Sequence, residues 1–258
     1  MAAELTAYGR ELEAAGTAQA DGDFTDIPEA DALIKSSPEA FLIGVLFTQG
    51  VRYERAWAGP WLLSCRLGHL DLRLLAADVE AVDEALGRPP ALHRFRHTLP
   101  RWISSAARRL LDEYSGDASG IWAPGNSLAE VMRRLSAFEG IGPKKAAMAA
   151  ELLVRYFGVP LEGLEDGTVA YDVHVRRVFL RSGLVEADTP AEVARAAAVA
   201  CPALPGTLDL PAWTVGRHSC RPTRPACETC RLTHVCPRRV WLDAEGVGRR
   251  QARRKARG

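Results

Sequence analysis

The 258-residue chain has no apolar run long enough to cross a bilayer. Its most apolar early stretch, AFLIGVLF at 40–47, is far too short, and the start, MAAELTAYGRELEAAG, lacks the apolar core of a signal peptide. A soluble, cytoplasmic protein with no membrane partner is therefore expected, in a compartment that keeps thiols reduced. That sets aside a disulfide framework as the reading of the six cysteines. Runs of β-branched residues are scarce, and no internal repeat is present. Acidic residues are missing altogether from Ala85 to Leu111, where Arg88, Arg94, Arg96, Arg101, Arg108 and Arg109 stand. Such a window suits a polyanion, because arginines release counterions from phosphates; a solvated face is the plainer alternative.

What is present in quantity is apolar: 47% of residues are hydrophobic, enough for a sizeable core, and 25% are charged. The net charge of +1 hides an asymmetry. Residues 238–258 hold eight basic residues against Asp243 and Glu245, a net of +6, which leaves −5 on residues 1–237. This end reads as a basic, mobile tail.

The periodicity is helical almost throughout. Ser37 is placed to cap a helix, with Pro38 at its first position and Glu39 in its first turn. Ser127 and Glu130 have capping-box spacing ahead of the stripe Leu128, Val131, Met132 and Leu135. After the turn EGIG, Pro143 opens a helix predicted to end near Tyr156, with Gly158 as its cap. Only TVAYDVHV, at 168–175, has strand-like composition.

Four cysteines crowd into CRPTRPACETCRLTHVC: Cys220, Cys227, Cys230 and Cys236. The gaps allow four thiolates to converge, on zinc or on an iron–sulfur cluster. Zinc sites more often pair two C-x2-C knuckles, and only one is present here, which favours the cluster. Cys65 and Cys201 stand in apolar surroundings and are expected to be small buried residues.

Between the two capped helices, Gly140, Ile141 and Gly142 form a turn that admits positive φ and a close approach. The helix that follows presents unpaired N–H groups and the positive end of its dipole, an anion site suited to a nucleic-acid phosphate. The pattern reads as a helix–hairpin–helix element. Lys144 and Lys145 share its first turn, where the dipole and apolar neighbours disfavour positive charge. An amine so placed can form a Schiff base, or both lysines can simply contact phosphate. Asp172 is a candidate helix cap that would stay ionised, and equally a candidate partner for a reactive amine.

Taken together, EGIGPKKA, AYDVHV, the cysteine loop preceded by GRHSC, and FLIGVLFTQG resemble the endonuclease III family of DNA glycosylases, in their order along the chain. The resemblance covers roughly residues 30–240. It implies an all-α fold: a six-helix barrel over 31–154 containing the hairpin (127–156), and a cluster domain from 1–30 and 155–237, followed by the tail. It implies a base-excision glycosylase with AP lyase activity, acting as a monomer on double-stranded DNA that carries a damaged base or abasic site. Oxidised pyrimidines are the family's default lesion. Lys144 falls on the Schiff-base nucleophile, and Asp172 on the catalytic aspartate. Cys220, Cys227, Cys230 and Cys236 fall on the ligands of a [4Fe–4S] cluster. Gln49 falls on the glutamine that fills the space left by the flipped nucleotide. Gly140, Ile141, Gly142, Lys145 and His174 join the DNA-binding set, with Trp102 as the wedge.

The chain departs from that pattern in places. LEGLEDG lengthens the gap before Asp172, Val173 replaces a threonine, Tyr171 a small aliphatic residue and Glu139 a proline. Three other readings follow: a glycosylase without lyase activity, a DNA-binding member with little chemistry, and a zinc protein.

Overall fold

A computed structural model of the chain describes residues 1–16 and 23–242. Among them helix is the only extended regular element, and the one β feature is an isolated parallel bridge between Ser127 and Glu162. The all-α expectation holds. The strand-like TVAYDVHV runs as irregular chain to Asp172 and then turns into a helix. Its propensity finds no partner strand; the Ala170 N–H bonds instead to Asp209 Oδ1, at 2.7 Å.

The chain divides into two compact units. One takes the described parts of Asp21–Gly163, the other those of Met1–Ala20 and Leu164–Gly258. These boundaries lie away from the expected 30/31 and 154/155, and aromatic packing explains the shift. Phe24 packs on Trp57 with the rings tilted and 4.7 Å apart and meets the Tyr156 ring edge-on at 5.0 Å, while Phe157 lies 5.2 Å from Phe41. The chain on both flanks of the expected barrel is thereby drawn into its core.

In the second unit, α1 is Ala2–Ala14; the other begins with α2 (Pro28–Ser36) and α3 (Pro38–Phe47). Ser37 caps α3 as expected, its Oγ accepting the Ala40 N–H at 3.0 Å. Every residue of α3 from Ala40 to Phe47 is buried, so this helix runs through the core. It crosses α4 (Tyr53–Leu67) closely: a Cβ on Gly44 would lie 2.6 Å from the Trp57 ring, and one on Gly59 only 2.3 Å from Phe47. Cys65 lies on the outer side of α4 and is exposed, which corrects the buried reading; Cys201 is buried as expected. Then come α5 (Leu72–Ala77), α6 (Val79–Gly87), α7 (Leu99–Glu113), α8 (Leu128–Ser136) and α9 (Pro143–Arg155).

The unit that holds α1 continues with α10 (Val175–Arg181), α11 (Pro190–Ala200) and α12 (Asp209–His218). Its core joins Leu5 to Val178, Phe179, Leu208, Ala212, Val215 and Leu232, so both ends of the chain build it. Most of the basic tail, residues 243–258, lies outside the described residues.

Candidate active site and cysteine loop

The hairpin forms where the sequence indicates. Ser127 Oγ accepts the Glu130 N–H at 3.2 Å, but the Glu130 carboxylate turns to Arg133 and Arg134 at 2.7 Å, so the salt bridges take the place of the reciprocal half of the box. These arginines hold the Glu130 carboxyl down at about 2. The two turn glycines serve different needs. Gly140 has φ +88, and a Cβ there would strike the Trp102 ring at 2.4 Å. Gly142 is extended, at φ −89, and nothing lies within 4 Å of where its Cβ would be. Open space therefore faces the N-terminus of α9, as an approaching anion requires. Ile141 is buried, 3% exposed, and anchors the turn to the core.

The two lysines part company. Lys144 is exposed. Lys145 is 6% exposed; its Nζ donates to the Leu46 carbonyl at 2.9 Å and lies 5.4 Å from the Trp102 ring centre. Burial, and then the charge of Lys144, pull the Lys145 amine down to about 8. Desolvation, expected to act on both residues, therefore bears on Lys145. Trp102, expected as a wedge, is half-buried in α7 and packed beneath Gly140 and Lys145.

Gln49 is exposed, in the turn that follows α3. That turn is held by His93, which the sequence did not single out, and by Arg94 of the basic window. His93, 1% exposed, bonds through Nε2 to Phe47 O at 3.1 Å, and its Nδ1 accepts the Phe95 N–H. Burial pushes the imidazole below its ordinary value, keeping it neutral. Arg94 reaches Gly50 O at 3.4 Å, and its guanidinium stacks over Phe95 at 4.9 Å. The inserted LEGLEDG is also tied down. Leu128 N–H donates to Glu162 O at 2.8 Å, and Glu162 N–H to Asn126 O at 3.1 Å, which fixes the insertion to the entry of α8.

In the other unit, Asp172 Oδ1 accepts the N–H groups of His174 and Val175, both at 2.8 Å. The carboxylate thus caps α10, as expected. His174 is half-buried, its ring edge on Trp213 at 6.0 Å and its Nδ1 accepting from Arg177 Nη2 at 3.2 Å. Burial lowers its pKa, partly offset by the Asp172 charge. Tyr171 sends its hydroxyl to Asp188 Oδ1 at 2.9 Å, and Val173 is 50% exposed. Gly216, the glycine of GRHSC, permits this arrangement, because a Cβ there would meet His174 O at 2.7 Å.

Arg177 fastens the Asp172 turn to the cysteine loop. It donates to Val173 O at 2.7 Å, Gly216 O at 2.8 Å and Cys220 O at 2.6 Å. Cys220, Cys227, Cys230 and Cys236 line one cavity of about 410 Å³, counted out to open solvent, with Leu232 and Val178 beside them. Burial raises the Cys220 and Cys236 thiols, and nearby donors oppose it: Arg181 Nη1 at 3.8 Å from Cys220 Sγ and the Arg238 N–H at 3.4 Å from Cys236 Sγ. Among the described residues no group of three or more His, Cys, Asp or Glu is gathered tightly enough for a single metal ion. The four cysteines share this cavity, and hydrogen-bond donors reach the sulfurs of two of them, Cys220 and Cys236.

No family model matches the chain. Endonuclease III of Synechocystis sp. is 28% identical to it over 143 residues, 52% of this chain and 53% of the relative. The chain thus matches about half the length of that curated relative. A trapped endonuclease III–DNA covalent intermediate superposes with a TM-score of 0.59 at 20% identity, over 82% of this chain and 92% of the other. A thermostable thymine-DNA glycosylase gives 0.61 at 13% identity, over 92% and 96%. The fold is that of the helix–hairpin–helix DNA glycosylases. The resemblance to endonuclease III read from four motifs is borne out by both sequence and fold similarity.

Proposed function

We propose that the protein is a base-excision DNA glycosylase with AP lyase activity, acting on double-stranded DNA with an oxidised pyrimidine or an abasic site. The observation that carries this reading is the exposed Lys144 in the first turn of α9, beside a hairpin glycine with nothing in front of it. The hairpin's N–H groups would hold a backbone phosphate, and the target nucleotide would be flipped out of the stack. Gln49 would fill the gap. With Trp102 packed under the hairpin, the wedge role passes to Arg94 and Phe95, which adjoin the Gln49 turn.

The Lys144 nitrogen would attack the sugar C1′, forming a C–N bond as the glycosidic bond breaks; the base leaves with the bonding electron pair and takes up a proton released from the attacking nitrogen. Asp172, an anion fixed by two N–H groups, would stabilise the positive charge developing on the sugar. Ring opening gives an iminium. Loss of a C2′ proton then expels the 3′ phosphate, which nicks the strand. Cys220, Cys227, Cys230 and Cys236 would hold a [4Fe–4S] cluster, which when bound would cross-link their loop.

A panel of damaged duplexes tests this. Oxidised-pyrimidine substrates should yield free base together with strand cleavage. Base release with intact strands would remove the lyase step, and no release from any damaged base would remove the glycosylase.

A further inference from the structure

The side chain of Lys145 joins three elements that the proposed reaction uses separately, all within the unit formed from Asp21–Gly163. Its backbone adjoins Lys144 at the start of α9. Its Nζ, 2.9 Å from Leu46 O, grips the last turn of α3, three residues before Gln49. Its ammonium faces the Trp102 ring of α7 at 5.4 Å, the same ring that supports Gly140. We infer that Lys145 is a positioning residue, which through Leu46 and Trp102 fixes the first turn of α9 against the Gln49 turn. It thereby sets the spacing between Lys144 and Gln49, side chains that must act together on a flipped nucleotide and on the gap it leaves. This rests on the proposal above that Lys144 attacks and Gln49 fills the gap.

The physical setting separates this role from ordinary packing. An amine only 6% exposed, at the positive end of a helix dipole, disfavours its own charge, and its pKa of about 8 records that. The groups facing it give no compensating anion: Lys144 from its own helix, and from the α6–α7 loop a neutral His93 whose pKa the Lys145 charge lowers further. Methionine, of similar length and apolar, would remove the cost of a buried charge. A side chain needed only to fill space would be better apolar. The donated hydrogen bond and the charge over Trp102 are what methionine cannot supply.

Lys145→Met in the full chain tests this, beside wild type and Lys144→Ala. Three quantities are read: the single-turnover rate of borohydride trapping at saturating abasic-site duplex, Kd for a duplex with a stable tetrahydrofuran abasic analogue, and Tm. The expected result is an adduct that still forms, on the order of ten- to a hundred-fold more slowly. Kd should stay within about two-fold, and Tm should be unchanged or higher. A wild-type rate in Lys145→Met overturns the inference. So does a loss confined to Kd, or a fall in Tm large enough to account for the slower rate. An adduct lost in Lys145→Met but kept in Lys144→Ala overturns it differently, by making Lys145 the nucleophile. Absence of any adduct from wild type defeats the parent proposal, and the inference with it.

Discussion

Asp172 holds His174 through a single carboxylate oxygen, 2.8 Å from the His174 N–H and equally close to that of Val175. One side chain thus starts α10 and presents a fixed anion. The two jobs are separable by substitution. Asp172→Asn keeps an oxygen acceptor and so keeps the cap; Asp172→Ala loses it, at about 1 kcal/mol. Asp172→Asn should therefore leave Tm within about 2 °C of wild type while slowing base excision about a hundred-fold. Single-turnover excision and thermal melts check this. Equal loss of stability and rate in both variants would reduce Asp172 to a helix cap.

The cysteine loop should carry colour. Protein purified without oxygen is expected to be brown, with broad visible absorption, iron and labile sulfide. Cys227→Ala should lose most of the iron. Because the loop closes over Leu232 and is fastened by Arg181 and Arg177, loss of the cluster should also lower Tm. Colourless protein containing stoichiometric zinc would overturn the cluster assignment.

His93 predicts a loss of stability towards acid. Its folded pKa is depressed by burial, so the unfolded chain binds the proton more readily. Its stabilising contribution is complete above the unfolded value of 6.5 and is lost as pH falls below it. The slope is at most about 1.4 kcal/mol per pH unit for one group. His174, depressed in the same direction, adds to the effect. Melting curves from pH 7.5 to 5 should show a shallower decline in His93→Gln than in wild type. Parallel declines would show that His93 does not titrate on unfolding.

Much of this was legible in local sequence because local physics decides it. Ser37, Pro38 and Pro143 start helices by backbone geometry, and Asp172 caps by reaching N–H groups two and three residues ahead. What could not be read depends on partners distant in sequence. Lys144 and Lys145 are about 100° apart on one helix, and the residue that decides which turns inward is Leu46, 99 positions away. Trp102 stands in a helix whose pattern gives no sign of the hairpin above it. The β propensity of TVAYDVHV is real, but with no strand alongside to pair with, the Asp209 carboxylate satisfies its backbone. Cys65 and Gly216 were settled by the faces their helices present, and neither face shows in a short window. The packing of Trp102 under Gly140 and the edges of the two units likewise depend on contacts between remote segments.

We propose Lys144, and not Lys145, as the nucleophile. The most direct measurement is borohydride trapping of cluster-loaded protein on an abasic-site duplex, followed by peptide mass spectrometry of the adduct. The expected result is a sugar fragment on Lys144 in wild type and no adduct from Lys144→Ala. An adduct on any other residue, or one that survives Lys144→Ala at the wild-type rate, would contradict it.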